Sequence, residues 1–109
     1  VSAAFHSKYM FDAQKILSEE IINLIFNDNN ISIISNYDGE IHKDNSIIIK
    51  NLQNQMANKV NWTKSIKTLE LTKEKKIIEI GPNKVLSGLI KRISDKFDII
   101  SINQITDLK

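Results

Sequence analysis

The fold is decided by residues 75–93, "KKIIEIGPNKVLSGLIKRI", because the hydrophobic period changes inside this stretch. Its first part, residues 77–80, is a short isoleucine-rich run of the kind that forms buried strands. Gly81 and Pro82 then predict a turn, with Pro82 at the first helical position, where its missing N–H would be unpaired in any case. Apolar residues follow at helical spacing, so the stretch predicts a strand that leads directly into an amphipathic helix. The predicted apolar stripe of this helix consists of Val85, Leu86, Leu89, Ile90 and Ile93.

The same alternation extends to both sides of this stretch. Helical spacing predicts a helix over residues 11–26, a helical stretch around 48–56 and another from Trp62, whereas β-branched runs predict strands at 31–35 and 97–102. Strands separated by helices favour parallel pairing, which predicts the α/β class, with short parallel strands alternating with helices. Three short strands make a poor sheet by themselves, so we expect the chain to be incomplete as an independent domain.

Composition narrows the classes of function. The chain has 109 residues, of which 41% are hydrophobic, enough for the core of one small domain. Its 15 basic and 13 acidic side chains leave a net charge of +2, which does not favour a nucleic-acid partner. Cysteine is absent, which excludes disulfides and thiolate metal sites within these residues. No apolar run reaches the ~18 residues of a membrane span, so we expect no membrane partner.

The conventional bases in the sequence are two histidines, His6 and His42. His6 stands in "AAFHS", between an apolar residue and a serine, whereas His42 precedes Lys43 in a polar stretch and is predicted to be solvated surface. Two histidines without cysteine or paired carboxylates at ligand spacing predict no metal site, and nothing in the sequence indicates a bound cofactor. The single tryptophan, Trp62, is predicted to be a buried core residue.

Three segments taken together resemble the C-terminal part of malonyl-CoA:acyl carrier protein transacylases, within the acyltransferase superfamily of fatty-acid and polyketide synthases. They are "AAFHS" at 3–7, "QMANKVNWTKSI" at 55–66 and "IEIGPNKVLSGLIKRI" at 78–93, and "SNYDG" at 35–39 is similar to the family's Ser-Asn-x-Asp strand end. Their order and separations also match. The resemblance covers essentially the whole chain and only part of a family member. It implies that residues 1–109 are the C-terminal segment of an α/β-hydrolase-like acyltransferase large subdomain.

The resemblance implies roles for three residues. His6 falls on the histidine that is the base of the family's serine–histidine pair. Gln55 falls on the glutamine whose backbone carbonyl holds that imidazole in one tautomer, in place of a triad carboxylate. Phe5 matches the phenylalanine that accompanies malonyl selectivity. The implied chemistry is physically sound, because an imidazole with a pKa of about 6.5 can take the proton of a serine hydroxyl and later return it.

Three further residues have two interpretations each. Asn36, at the C-terminal end of a predicted strand, either supports the active site or satisfies a buried strand end. Lys91 and Arg92 lie away from the apolar stripe of their helix. They either meet an acidic acyl carrier protein or form a solvated helix end near the negative pole of the helix dipole.

The chain also departs from the family's pattern. The family's nucleophile sits in a Gly-x-Ser-x-Gly elbow, and Gly39, Gly81 and Gly88 are not spaced to form one. The family's malonate-binding arginine lies upstream, and Arg92 does not align with it. The resemblance therefore implies a fragment whose nucleophile, arginine and oxyanion-hole amides come from the preceding part of the same enzyme. Asn83 stands where glycine is common, and asparagine tolerates positive φ better than most residues.

The function implied by the resemblance is transfer of a malonyl group from coenzyme A to the phosphopantetheine thiol of acyl carrier protein, in fatty-acid biosynthesis. The expected partners are acyl carrier protein, malonyl-CoA as substrate and the upstream part of the enzyme. The expected location is a bacterial cytoplasm, or a plastid or apicoplast stroma. The alternative is a non-catalytic acyltransferase-like module that binds a carrier protein or another chain. A weaker alternative, a basic helical domain for nucleic acid, is disfavoured by the near-neutral charge.

Overall fold

The computed structural model describes residues 4–108, which fall into two compact units, one ending at Thr68 and the other beginning at Leu69. The helices are α1 (Phe11–Ile22), α2 (Asn45–Asn54), α3 (Trp62–Glu70) and α4 (Val85–Ile93), with 3₁₀ turns at Lys8–Met10 and Ile105–Asp107. The strands are β1 (Ile33–Ile34), β2 (Ile41–His42), β3 (Lys76–Ile80) and β4 (Asp98–Ile102).

In the first unit, α1 packs against α2 and holds the segment that follows it. Ile21 of α1 and Ile48 of α2 are both buried in the core of this unit. The Gln14 side chain accepts a hydrogen bond of 2.7 Å from the backbone N–H of Ala57, which is also buried. The chain beyond the C-terminal end of α2 is thereby fixed to α1 by both apolar and polar contacts.

The first unit also contains a small hairpin that the sequence predicted only in part. β1 lies within the predicted strand 31–35, and it pairs antiparallel with β2, with Ile33 opposite His42 and Ile34 opposite Ile41. Parallel pairing was the wrong prediction for β1, because residues 35–40 are far too few for a parallel crossover, which needs about a dozen residues. β2 was missed because it has only two residues, one of them polar.

In the second unit, β3 and β4 form the parallel pair that the sequence predicted. The register runs from Lys76 opposite Asp98 to Ile80 opposite Ile102, and α4 lies in the connection between the two strands. Ile90 of α4 is buried. The α/β prediction is confirmed, in the form of short strands and helices with small, incomplete sheets.

Two predicted helix boundaries were wrong. α1 ends at Ile22 rather than at residue 26, since Asn23 closes the helix and the Leu24 N–H bonds back to Ile21 over three residues. α4 begins at Val85, so Pro82 is not its first residue.

The reason for the late start of α4 lies in the bend before it. Asn83 has a φ of 69°, a left-handed conformation that interrupts a right-handed helix, so the helix begins beyond it. No helix among residues 4–108 is long enough and apolar enough to cross a bilayer.

Candidate active site

The ring of His6 is hydrogen-bonded to the backbone just beyond α2. Its Nδ1 lies 2.8 Å from the carbonyl oxygen of Gln55. A carbonyl oxygen can only accept, so Nδ1 carries the proton and donates it to this contact. The lone pair of the neutral ring is therefore on Nε2, the atom that can act as a base.

The backbone of His6 is fixed to the same segment. Its N–H donates to the carbonyl oxygen of Met56 at 2.7 Å, so two consecutive carbonyls hold one residue at two points. His6 has a φ of 62°, a conformation that costs a non-glycine residue about 1–3 kcal/mol. The hydrogen bond from Ser7 Oγ to the Ala4 carbonyl, 2.6 Å long, supports this turn. The result is an exposed imidazole on a well-anchored backbone.

Gln55 is the C-cap of α2, with φ −74° and ψ −27°. The last carbonyls of a helix have no intrahelical partner and carry the negative end of its dipole. The His6 imidazole donates to one such carbonyl, which also accepts from the Asn58 N–H at 3.4 Å. At the other end of α2, the Asp44 carboxylate caps the helix by accepting from the Ser46 N–H at 2.8 Å. Hydrogen bonds from the Ser46 hydroxyl and N–H lower the pKa of Asp44.

Two other residues predicted to belong to the site lie in the same unit. Phe5 precedes His6 in the chain and is 51% exposed. Asn36 follows β1 with an exposed side chain, and its carbonyl accepts from the Asn61 N–H at 2.9 Å. Asn36 and Gln55 both line a cavity of about 190 Å³ between β1 and α2. The apolar wall of this cavity is formed by Ile33, Ile34, Ile48 and Leu52.

His42 is not the solvated surface residue that the sequence predicted. Its side chain is only 13% exposed, and Nε2 lies 2.7 Å from Oδ2 of Asp38. The same carboxylate accepts from the Glu40 N–H at 2.9 Å and from Nδ2 of Asn51 at 3.2 Å. Burial disfavours ionisation of Asp38, but the hydrogen bonds from Glu40, His42 and Asn51 outweigh it and lower its pKa. His42 also lines the 190 Å³ cavity, together with Asn51 and Gln55.

The groups of Asp38, Glu40 and His42 approach one another as metal ligands do, with one ligand atom of each within 4.8 Å of the others. The oxygen atoms that would bind a metal ion are, however, already hydrogen-bonded or ion-paired within the protein. Asp38 accepts three hydrogen bonds, and the Glu40 carboxylate pairs with Nζ of Lys64 at 3.2 Å. Internal hydrogen bonding therefore accounts for this cluster.

A buried carboxylate in the second unit escaped the sequence analysis. Glu79 of β3 accepts from the N–H groups of Leu86 and Ser87 at 3.1 and 2.9 Å, and from Ser87 Oγ at 2.5 Å. The N-cap residue of α4, Lys84, offers no side-chain cap, so Glu79 satisfies the free amides of the first turn instead. The Ser87 hydroxyl and these amides lower the pKa of Glu79 against the effect of burial. The signal in the sequence is a charged residue inside an apolar strand.

Lys91 and Arg92 occupy the last turn of α4, and both are exposed. Neither forms an ion pair with another residue in the 4–108 range. Trp62, predicted to be buried, is only partly so, and its Nε1–H has no hydrogen-bond acceptor among the described residues.

Comparison with known proteins gives a consistent set of relatives, although no protein-family model matches the chain. The malonyl CoA-acyl carrier protein transacylase of Escherichia coli is 32% identical over 104 residues, covering 95% of this chain and 34% of that protein. The crystal structure of the Synechocystis malonyl-CoA:ACP transacylase superposes with a TM-score of 0.91 at 30% identity, covering 99% of this chain and 37% of the other. The resemblance to malonyl-CoA:acyl carrier protein transacylases is confirmed.

Two further relatives extend the comparison. The polyketide biosynthesis protein PksE of Bacillus subtilis is 41% identical over 97 residues, covering 88% of this chain and 12% of its own length. A malonyl-transacylase solved in complex with a type II polyketide synthase acyl-carrier protein gives a TM-score of 0.89 at 28% identity, covering 99% of this chain and 35% of the other. The chain thus spans about a third of the length of the transacylases that it matches, and a smaller share of PksE.

Proposed function

We propose that residues 1–109 are the C-terminal segment of a malonyl-CoA:acyl carrier protein transacylase, and that His6 is the general base of its active site. The observation that carries this proposal is the 2.8 Å contact between Nδ1 of His6 and the carbonyl of Gln55. It leaves Nε2 free in the tautomer that a base requires. The similarity to transacylases over nearly the whole chain supports the same assignment.

In the proposed reaction, Nε2 of His6 takes the proton of a serine hydroxyl supplied by the upstream part of the enzyme. The serine oxygen attacks the malonyl thioester carbonyl, and the thiol of coenzyme A leaves with the proton that His6 returns. The phosphopantetheine thiol of acyl carrier protein then attacks the malonyl-serine ester, and His6 again takes and returns one proton. The Gln55 carbonyl and the C-terminal end of α2 stabilise the imidazolium formed in each half-reaction.

The base is tested by acyl transfer in the complete protein that contains this chain, using radiolabelled malonyl-CoA and acyl carrier protein. His6→Ala is expected to lower transfer by about 10²–10⁴-fold, the usual contribution of general acid–base catalysis. Lys43→Ala, at an exposed residue outside the site, is the matched control and is expected to leave transfer unchanged. Near-normal turnover by a folded His6→Ala protein would contradict the assignment.

Phe5 is proposed as a selectivity residue for malonyl groups. It precedes the base and its ring is half exposed, so it is free to occupy the space beside the acyl α-carbon. Exclusion of one methyl group is worth about 1–3 kcal/mol, so Phe5→Ser is expected to raise the relative use of methylmalonyl-CoA by about tenfold or more. If Phe5→Ser leaves the relative use of methylmalonyl-CoA and malonyl-CoA unchanged, Phe5 does not determine substrate selectivity.

Asn36 is proposed to support the active site. Its position at the end of β1, on the cavity that Gln55 also lines, supports this role. Asn36→Ala is expected to lower kcat with little change in thermal stability. A normal kcat with lowered thermal stability would instead make Asn36 a structural residue of the strand end.

Lys91 and Arg92 are proposed to bind acyl carrier protein, an acidic partner. They are exposed and free of ion pairs within the described chain, which supports this role. The related transacylase solved with its acyl carrier protein supports the choice of partner. Lys91→Glu with Arg92→Glu is expected to weaken carrier-protein binding and its salt dependence, whereas Lys73→Glu on an exposed turn is not. If the Lys91→Glu/Arg92→Glu protein binds carrier protein as tightly as the unmodified protein does, these two residues form only a solvated helix end.

The Escherichia coli, Synechocystis and Bacillus subtilis relatives are bacterial, which supports a bacterial cytoplasm as the place of this reaction. A plastid or apicoplast stroma is the alternative location. The alternative function is a non-catalytic module that binds a carrier protein or another chain. These 109 residues contain no Gly-x-Ser-x-Gly elbow, so the two functions differ in whether the rest of the protein supplies one. Carrier-protein binding without any label transfer by the folded complete protein would decide for this alternative.

A further inference from the structure

The part-buried cluster formed by Asp38, His42 and Asn51 has no part in the proposed reaction. Asp38 lies in the turn between β1 and β2, His42 on β2, and Asn51 on α2. Oδ2 of Asp38 accepts from His42 at 2.7 Å and from Asn51 at 3.2 Å. Because Asn51 is only 7% exposed and His42 13%, these bonds join the hairpin to the inner face of α2.

The protons in this cluster can be assigned. Asp38 is an ionised carboxylate and can only accept, so the proton of the His42 ring facing it is on Nε2. The other charged groups nearby are the Glu40 carboxylate, which lies within 4.8 Å of both, and Lys64 of α3, which pairs with Glu40 at 3.2 Å. The Asn51 amide then fills the remaining acceptor position on Oδ2.

The cluster is connected to the proposed base through α2. Asn51 and Gln55 are four residues apart, so they lie on the same face of the helix one turn from each other. Both line the 190 Å³ cavity between β1 and α2, as does His42. On this side of α2, the hydrogen bonds of Asp38 to His42 and Asn51 fix the rotation of the helix in addition to the packing of the buried Ile48. The direction of the Gln55 carbonyl depends on this rotation.

The opposite side of the α2 terminus is held by α1. Ser18 Oγ donates to the carbonyl of Gln53 and Gln53 Nε2 donates to the carbonyl of Ser18, both at 3.3 Å. Gln14 holds the Ala57 N–H at 2.7 Å. The carbonyl that meets His6 thus lies between two sets of polar contacts, one on α1 and one on the hairpin.

We propose that His42 is a positioning residue for the catalytic base, acting through Asp38, Asn51 and the carbonyl of Gln55. This inference rests on the proposed function, because it assumes that His6 acts in catalysis. The cluster sets the rotation of α2, the helix aims its last carbonyl, and that carbonyl fixes the tautomer and direction of the His6 ring. His42 itself does not contact substrate.

The test compares His42→Leu, which removes the N–H donor, with His42→Gln, which keeps an amide N–H at similar reach. Transfer is measured in the complete protein at saturating acyl carrier protein, and kcat is expressed per active site by titrating the malonyl-enzyme. His42→Leu is expected to lower kcat about tenfold, the effect of one misdirected hydrogen bond, while KM for malonyl-CoA stays within about twofold. His42→Gln is expected to recover most of the lost kcat, and Lys43→Ala is the unaffected control.

A merely structural role predicts fewer active sites but a normal kcat per site, and this result would overturn the inference. Equal kcat values for His42→Leu and His42→Gln would overturn it too. If His42→Leu does not fold, Asn51→Ala is measured in its place with the same expected loss of kcat. Loss of activity in His6→Ala with normal turnover in His42→Leu rejects this inference alone, whereas full activity in His6→Ala rejects the proposed function itself.

Discussion

Nδ1 of His6 lies 2.8 Å from the backbone carbonyl oxygen of Gln55, a residue 49 positions later in the chain. The contact uses a main-chain oxygen, so the orientation of the ring depends on the path of the backbone rather than on the identity of the side chain. It also lacks the full negative charge of a triad carboxylate. In the proposed mechanism, the negative end of the α2 dipole takes over part of that role.

A main-chain acceptor makes a specific prediction for Gln55. Gln55→Ala keeps the carbonyl oxygen and suits a helix end, so kcat is expected to stay within about threefold of the unmodified protein. Gln55→Pro is the contrasting variant, because proline disfavours the helical conformation of the residue before it and thereby redirects the end of α2. It is expected to lower kcat strongly. Steady-state transfer assays measure both, and a large loss in Gln55→Ala would mean that the side chain itself takes part.

The Glu79 cap predicts a local, pH-dependent effect on α4. Its pKa is lowered in the folded protein, so its stabilising contribution is present above the ordinary carboxyl pKa of 4.5 and is lost as the pH falls through the folded value. Amide hydrogen exchange at Leu86 and Ser87 measures this directly. At pH 7 we expect these two amides to exchange faster in the Glu79→Ala protein than in the unmodified protein. We expect this difference in exchange rate to shrink in acid.

The exposed Glu74 supplies the control for this experiment, since Glu74→Ala is expected to leave both amides unchanged. Equal protection of the two amides in the Glu79→Ala and unmodified proteins at pH 7 would show that the cap contributes nothing to α4.

Two glycines provide a matched pair for backbone strain. Gly39 has a φ of 69°, and a Cβ there would lie 2.9 Å from the side chain of Lys64. Gly39→Ala is therefore expected to destabilise the protein by about 1 kcal/mol or more. Gly88 lies inside α4 with open space around its Cβ position, so Gly88→Ala is expected to stabilise it by about 0.5–1 kcal/mol. Chemical denaturation of the complete protein measures both, and effects of the same sign would contradict this reading of the two sites.

The sequence predicted best where the signal is local. The strand and helix of residues 75–93 follow from the change of hydrophobic period, and the parallel pairing of β3 with β4 follows from the helix between them. The strand β2 carries no such signal, because Ile41 is its only apolar residue. The burial of His42 was also unpredictable, since it depends on a partner, Asp38, that only the turn brings near.

The site was predictable only in part, for the same reason. No hydrophobic or polar period connects His6 with Gln55, and their pairing was expected only from the resemblance to transacylases. The capping role of Glu79 depends on how β3 and α4 pack, and it was not predicted, although a lone carboxylate in an isoleucine-rich strand is the signal that could have revealed it.

The assignment of His6 as the base is tested most directly by the protonation state of its two ring nitrogens, measured by long-range ¹H–¹⁵N correlation NMR on the complete protein, with His6→Ala to assign the signals. We expect neutral His6 to carry its proton on Nδ1, with Nε2 unprotonated. His42 is the internal reference, since its bond to Asp38 predicts the opposite tautomer, with the proton on Nε2. A His6 ring protonated on Nε2, or exchanging between tautomers like a free imidazole, would contradict this assignment.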